Sequence, residues 1–319
     1  MSHHKPSSVY HSRFKEWDKQ SWVRSGIRQN TPFDPEKDFF PETLTAVFSH
    51  PEVQHVDPAT RRDILVLYLY NYLEFTVWLE TGPVNDVCEM LRRPGFLDWL
   101  PVKMKDDALK IYVDEGGHAE MSHSLIRLVE EHTRVKSLKL EPEFVGVLDR
   151  IAAREEHTYQ PLIKLFFVIV SETLITGSLT KLPKDENVQQ AVRDLARDHA
   201  MDEGRHHAYF KELFQILWPR LPQPIKWKVQ LWLPDMLLGF LKPGERGLLQ
   251  ILEQFPSQFP VPGRIVSEIL SQESLMTSIQ ESARPTLTMF KANGLFNDSG
   301  FVDILRAKRL LPHHFEVGT

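Results

Sequence analysis

His199-Ala200-Met201-Asp202-Glu203-Gly204-Arg205-His206 is the stretch on which the reading of this chain turns. On an α-helix His199, Glu203 and His206 stand at i, i+4 and i+7, within about 60° of one another, so two imidazoles and a carboxylate share one face. These are borderline-to-hard donors, suited to iron, manganese or zinc and poorly suited to copper(I). Taken alone, the face has a lesser alternative reading as the solvated side of a charged helix. His207 points about 100° away and is set aside.

The next feature upstream changes the odds. Glu172 stands in a segment, Leu162 to Ile175, that is apolar on nearly every side. Its neighbours at i−7, i−4, i−3 and i+3 are Leu165, Val168, Ile169 and Ile175, which aim the carboxylate into an apolar stripe. A carboxylate survives there only if it stays protonated, pairs with a cation or binds a metal.

Further upstream come Glu115-Gly116-Gly117-His118 and, five residues on, Glu120 to His123. Five residues turn a helix through about 500°, leaving the second pair roughly 140° from the first, so one pair alone can face inward. Glu115 and His118 are chosen. Glycines inside a helix cost about 1 kcal/mol each relative to alanine and are tolerated where something must approach closely. The first helical segment offers two acids, Glu74 and Glu80, each with apolar neighbours at helical spacing, and periodicity does not separate them.

The order is therefore Glu, Glu-x-x-His, Glu and His-x-x-x-Glu-x-x-His on four successive helices. Bundles that bridge two metals with carboxylates take one Glu from each of two helices and a Glu-x-x-His from each of the other two. The expected fold is all-α: a ferritin-like four-helix bundle core over about 58–217, an N-terminal arm over 1–35 and a C-terminal helical wrap over 224–319, together one domain. The core helices are expected from Pro58 past Val77, then over about Lys105–Thr133, Pro161–Lys181 and Glu186–Ile216. Pro161 suits a first turn, Leu182-Pro183 closes the third helix, and Pro219, Pro222 and Pro224 close the fourth. Apolar patches at Trp227–Phe240, Gly247–Phe255, Ile265–Leu270 and Phe301–Leu311 read as wrapping helices, while Trp17, Trp22 and Val23 suit a helical arm packed on the body.

Bulk properties agree. With 38 basic and 43 acidic residues spread along 319, the charge offers no argument for a nucleic-acid partner. Cys88 is the only cysteine, which rules out an intrachain disulfide and a multi-thiolate zinc site and points to a reducing, cytoplasmic setting. Apolar runs such as Leu165–Val170 are too short to span a bilayer, and no glycine-rich phosphate loop suggests a nucleotide.

The layout resembles the p-aminobenzoate N-oxygenases, non-heme diiron enzymes that oxidise amines to hydroxylamines, nitroso and nitro compounds. The mark is His199, an additional histidine one turn before the final Glu-x-x-His; the intervals from Glu80 to Glu115 and from Glu172 to His199 are similar to the family's. The resemblance favours Glu80 over Glu74. It implies Glu80, Glu115, His118, Glu172, His199, Glu203 and His206 as ligands of two iron ions, dioxygen as co-substrate and an external electron donor. It further implies a small-molecule amine substrate, a place in natural-product biosynthesis and a homodimer. The motifs span about 60–215; the arm and the region after Pro224 match no family motif and are expected to shape the substrate pocket. Three rivals share the fold: oxidation or desaturation at carbon, iron storage, and a radical-generating subunit, for which Tyr72 or Tyr209 would be the tyrosine. A helical scaffold without metal is the fourth.

Overall fold

A computed structural model describes residues 10–26, 31–175 and 179–311. Four long helices make the centre of the molecule. The first, α1 (Pro58–Leu79), begins where Asp57 accepts the backbone N–H groups of Ala59 and Thr60, with Pro58 at the first turn where its missing N–H costs nothing. It does not stop at Gly82-Pro83. Glu80–Val84 forms a π-helical turn, with Gly82 at φ −99°, ψ −108°, and the chain continues directly into α2 (Asn85–Arg92). Pro83 has no N–H for the α-helical ladder, and the widened turn takes up the mismatch.

After a loop, α3 (Val102–Thr133) runs back against α1 and ends at Arg134, whose left-handed φ of 65° breaks the helix. The short α4 (Glu143–Ala152) leads to α5 (Gln160–Leu174), in which every residue from Leu165 to Leu174 is buried. Residues 176–178, within the expected third helix, lie outside the described residues, and a 3₁₀ turn at Leu182–Lys184 follows. The fourth long helix, α6 (Gln190–Leu217), packs on α3 and α5. It starts later than Glu186 because Asn187 and Gln189 are tied to the incoming chain: Asp38 donates to the Asn187 carbonyl and Gln189 donates to that of Asp38, both at 2.8 Å. Among the described residues the isolated Asp38–Val188 bridge made there is the one β feature.

The C-terminal helices wrap one side. α7 (Gln223–Leu241) packs on α4 and α5, α8 (Glu245–Leu252) on α1, and α9 (Pro262–Leu270) on α8. α10 (Glu273–Ala292) packs on α5 and α7, and α11 (Ser299–Ala307) on α7. α10 is a helix the sequence did not signal, since Pro285 sits in its interior and its buried face, Ile279, Ala283, Leu287 and Phe290, is narrow. One continuous apolar core joins this wrap to the four long helices. Each large side chain in it contributes roughly 1.5–3 kcal/mol on burial, which is the stability that permits a charged cluster at the centre.

Among its described residues the arm is helical only in two single turns, Trp17–Gln20 and Trp22–Ser25. Isolated turns of this length have no stability of their own, so side-chain anchors on the body hold the arm's shape.

Candidate metal centre

Glu80, Glu115, His118, Glu172, His199, Glu203 and His206 come from four different helical segments and meet in the middle of the bundle, each no more than 1% exposed. Their donor atoms form two overlapping groups: Glu80, Glu115, His118, His199 and Glu203, and Glu115, Glu172, Glu203 and His206, all within 4.8 Å of one another inside each group. Glu115 and Glu203 belong to both, the arrangement expected of carboxylates that bridge two ions.

Local structure explains each placement. Glu80 opens the π turn, which rotates it onto the bundle axis at the level of Glu115 and His118. Glu74, two turns earlier, is half-buried and accepts from the Ser137 hydroxyl at 3.3 Å, away from the cluster. Glu120 and His123 lie on the exposed face of α3, as the 140° offset requires, and His207 stands beside the cluster half-buried.

His199 Nε2 bonds Glu203 Oε1 at 3.0 Å and His118 Nδ1 bonds Glu115 Oε2 at 3.3 Å, but most of the other donor atoms face a common centre without a partner. His206 Nδ1 is 2.9 Å from Glu115 Oε1, yet neither atom makes a hydrogen bond. Glu80 Oε1 and Oε2, Glu172 Oε2 and Glu203 Oε2 are likewise buried without a hydrogen-bond partner. His199 Nε2 lies 3.0 Å from both Glu80 Oε1 and Glu203 Oε1. Orphaned carboxylate oxygens at this depth are among the most costly groups a fold can hold, and a bound cation is what relieves them. Four carboxylates and three neutral imidazoles match the charge of two divalent ions, so the donor set fits a two-iron site.

Protonation responds to the same crowding. Burial first, then the charges of Glu203 and Glu115, pushes Glu172 well above the usual carboxylate range. Burial lifts Glu80 to about 7 although His199 pulls against it. Burial acts to raise Glu203 too, but His206 and His199 outweigh it and hold this carboxylate well below its ordinary value. His118 is raised to about 9: burial opposes its charged form, and the bonds to Asp202 and Glu115 prevail.

Two further residues complete the centre. His206 Nε2 lies 3.2 Å from Asp114 Oδ2, and His118 Nε2 lies 3.1 Å from Asp202 Oδ2. Because a carboxylate only accepts, Nε2 of each ring carries a proton, which leaves Nδ1 as the atom turned toward the cluster and the one whose lone pair would meet a metal. Both aspartates are fully buried. Sequence reasoning passed over them, though a signal was present: Asp114-Glu115-x-x-His118 and Asp202-Glu203-x-x-His206 repeat one pattern on the two antiparallel helices. The radical-subunit alternative finds no support at Tyr209, whose hydroxyl donates to the Met104 carbonyl at 3.0 Å; Tyr72 has a buried hydroxyl with no partner.

A cavity of about 860 Å³ lies between the outer sides of α3 and α6 under Trp22 and Phe33, and none of the seven residues lines it. It sits beside the centre rather than in it.

No curated protein matches the chain. A family model described as p-aminobenzoate N-oxygenase AurF matches residues 7–294, extending past the 60–215 span of the motifs into both the arm and the C-terminal helices. With that match over most of its length and a buried carboxylate and histidine cluster fit for two irons, the chain belongs to the p-aminobenzoate N-oxygenase family of diiron oxidoreductases.

Proposed function

We infer that this N-oxygenase converts a small-molecule amine, in a biosynthetic pathway in the cytoplasm, to its hydroxylamine and onward to nitroso or nitro products. In this reading Glu80, Glu115, His118, Glu172, His199, Glu203 and His206 would hold the two irons, Glu115 and Glu203 being common to both donor groups. The observation that carries it is the set of orphaned carboxylate oxygens gathered around His199, His118 and His206. Two bound irons supply reductive activation of dioxygen and its delivery to the amine nitrogen, with an external donor returning the electrons.

The chain's own residues supply position and dryness. Asp114 and Asp202 fix the tautomer and the tilt of His206 and His118. Leu165 to Val170 on α5, together with Leu73 and Leu79 on α1, exclude water from the bundle interior. His199 adds a second neutral donor to the group that holds Glu80 and His118, whereas the other group has His206 alone, so the two donor groups are unequal. The unpartnered hydroxyl of Tyr72 offers a buried polar contact on α1 for a substrate group.

A homodimer is part of the reading. Val102, Leu109, Tyr112 and Val113 are all exposed, and their spacing places them on one face of α3. No helix among the described residues is long and apolar enough to cross a membrane.

The test is direct. Purified protein should carry about two irons per chain and, once chemically reduced and exposed to oxygen with p-aminobenzoate or another arylamine or alkylamine, should give N-oxidised product by mass spectrometry. Iron at that level with products oxidised only at carbon would favour the carbon-directed rival. Protein grown with iron and isolated without any would leave the helical scaffold.

A further inference from the structure

Four of the hydrogen bonds that fasten the arm to the body end on the two aspartates. Trp17 Nε1 donates to both oxygens of Asp114, at 2.9 and 3.0 Å, and Ser21 Oγ donates to Asp114 Oδ1 at 2.6 Å. The backbone N–H of Trp22 donates to Asp202 Oδ1 at 3.0 Å, the oxygen that also accepts from Arg205. Each aspartate thus gives one oxygen mainly to the arm and turns the other to a histidine of the opposite helix. The Phe14 ring lies parallel to that of His206, 6.2 Å between centroids, and the Tyr10 hydroxyl donates to the buried Asp107 at 2.8 Å. Val23 occupies the notch left by Gly117, where a Cβ would come within 2.5 Å of it.

We propose that residues 10–25 are a positioning strap for the metal centre, in which Trp17 and Ser21 orient Asp114 and through it His206, while the Trp22 backbone orients Asp202 and through it His118. The inference rests on the two-metal reading and goes beyond it by assigning a role to the arm. The physical reason is rotational. A buried carboxylate with one partner can swing about its Cβ–Cγ bond; with both oxygens engaged from fixed directions it cannot, and the imidazole it holds keeps one tilt. Trp17 and Ser21 hydrogen-bond to Asp114 and not to Asp202, so their direct effect falls on the His206 side; Ser21 also accepts the Arg24 N–H and so caps the turn that carries Trp22. A structural fastener would show no such preference.

The side-specific prediction is tested with cobalt(II), titrated into the metal-free full chain and followed by visible absorption, for the unaltered protein and for Trp17→Phe combined with Ser21→Ala. The unaltered protein binds two equivalents. In the double variant one equivalent is weakened by about 10–100-fold, the range found when a partner behind a metal-bound histidine is lost, and the other binds as before. Two equivalents bound with unchanged affinity would overturn the strap and leave the metal centre standing. Equal weakening of both would mark general loosening and also overturn it. No cobalt bound by the unaltered protein would overturn the centre itself. If the double variant fails to fold by circular dichroism, Ser21→Ala alone, which removes the shortest of the bonds to Asp114, is held to the same outcomes.

Discussion

Asp202 on α6 holds His118 on α3: Oδ2 of the one lies 3.1 Å from Nε2 of the other, across the seam between the two helices, with both side chains fully buried. The pair is matched in the opposite direction by Asp114 of α3 and His206 of α6. Each helix therefore carries the acid that orients the other's imidazole, so α3 and α6 can bring their histidines to the centre only in one register.

Replacing Asp202 with asparagine keeps the volume and removes the charge behind His118. Metal should bind about 10–100-fold more weakly at the position His118 serves, measured by iron content after dialysis against a graded chelator series. Retention equal to that of the unaltered protein would show that Asp202 has no hold on the ring.

The choice between the two acids of α1 is testable by paired substitution. Glu80→Gln should lower the iron content to one equivalent or less and abolish amine oxidation. Glu74→Gln, which loses a contact with Ser137 on the outer side of α1, should leave both unchanged. The reverse pattern would reassign the ligand.

Gly116 and Gly117 should respond oppositely to alanine. A Cβ at Gly116 meets nothing within 4 Å, so the substitution should stabilise α3 by up to about 1 kcal/mol through helix propensity. At Gly117 the new methyl would lie within 2.5 Å of Val23 and must push the arm away, a cost of about 1–3 kcal/mol. Urea unfolding of the two variants should move the midpoint in opposite directions.

Metal-free protein should lose stability as pH rises from about 6.5 toward 9. The pKa of His118 is raised to about 9 in the folded chain, so its contribution is fully present below the unfolded value and disappears as pH climbs through the folded one. Glu172 has the same sign: raised well above its ordinary value, it favours the folded state while protonated and opposes it once ionised. Glu203, held low, acts at the acid end instead, where its contribution fades as pH falls. Melting temperatures across this range, with and without two equivalents of manganese(II), measure the effect. The slope should flatten with metal, which takes the place of the protons.

Much of the centre was legible before any coordinates. Helical spacing put His199, Glu203 and His206 on one face, allowed only one of the pairs Glu115/His118 and Glu120/His123 to face inward, and isolated Glu172 in an apolar stripe, because those are properties of a single helix. Periodicity left Glu74 and Glu80 tied, since both have apolar neighbours at the right intervals, and only the family resemblance favoured Glu80; the difference lies in a π turn that no periodicity encodes. The aspartates escaped notice for a related reason. An acid next to a ligand points about 100° off its own helix's inner face, and only the neighbouring helix supplies the histidine that explains it.

The sequence by itself determined the class of fold, which histidines and acids share a face within each helix and the chemistry those residue types suit, because composition and the 3.6-residue repeat act within each segment. Tertiary structure decided which acid of α1 enters the cluster, that Glu115 and Glu203 are shared between two groups, that aspartates are exchanged between α3 and α6, and that Trp17, Ser21 and Trp22 of the arm reach across to bond them. These are relations between segments far apart in the chain. They exist only once burial of the common core has set the helices side by side and left each buried charge to find its partner.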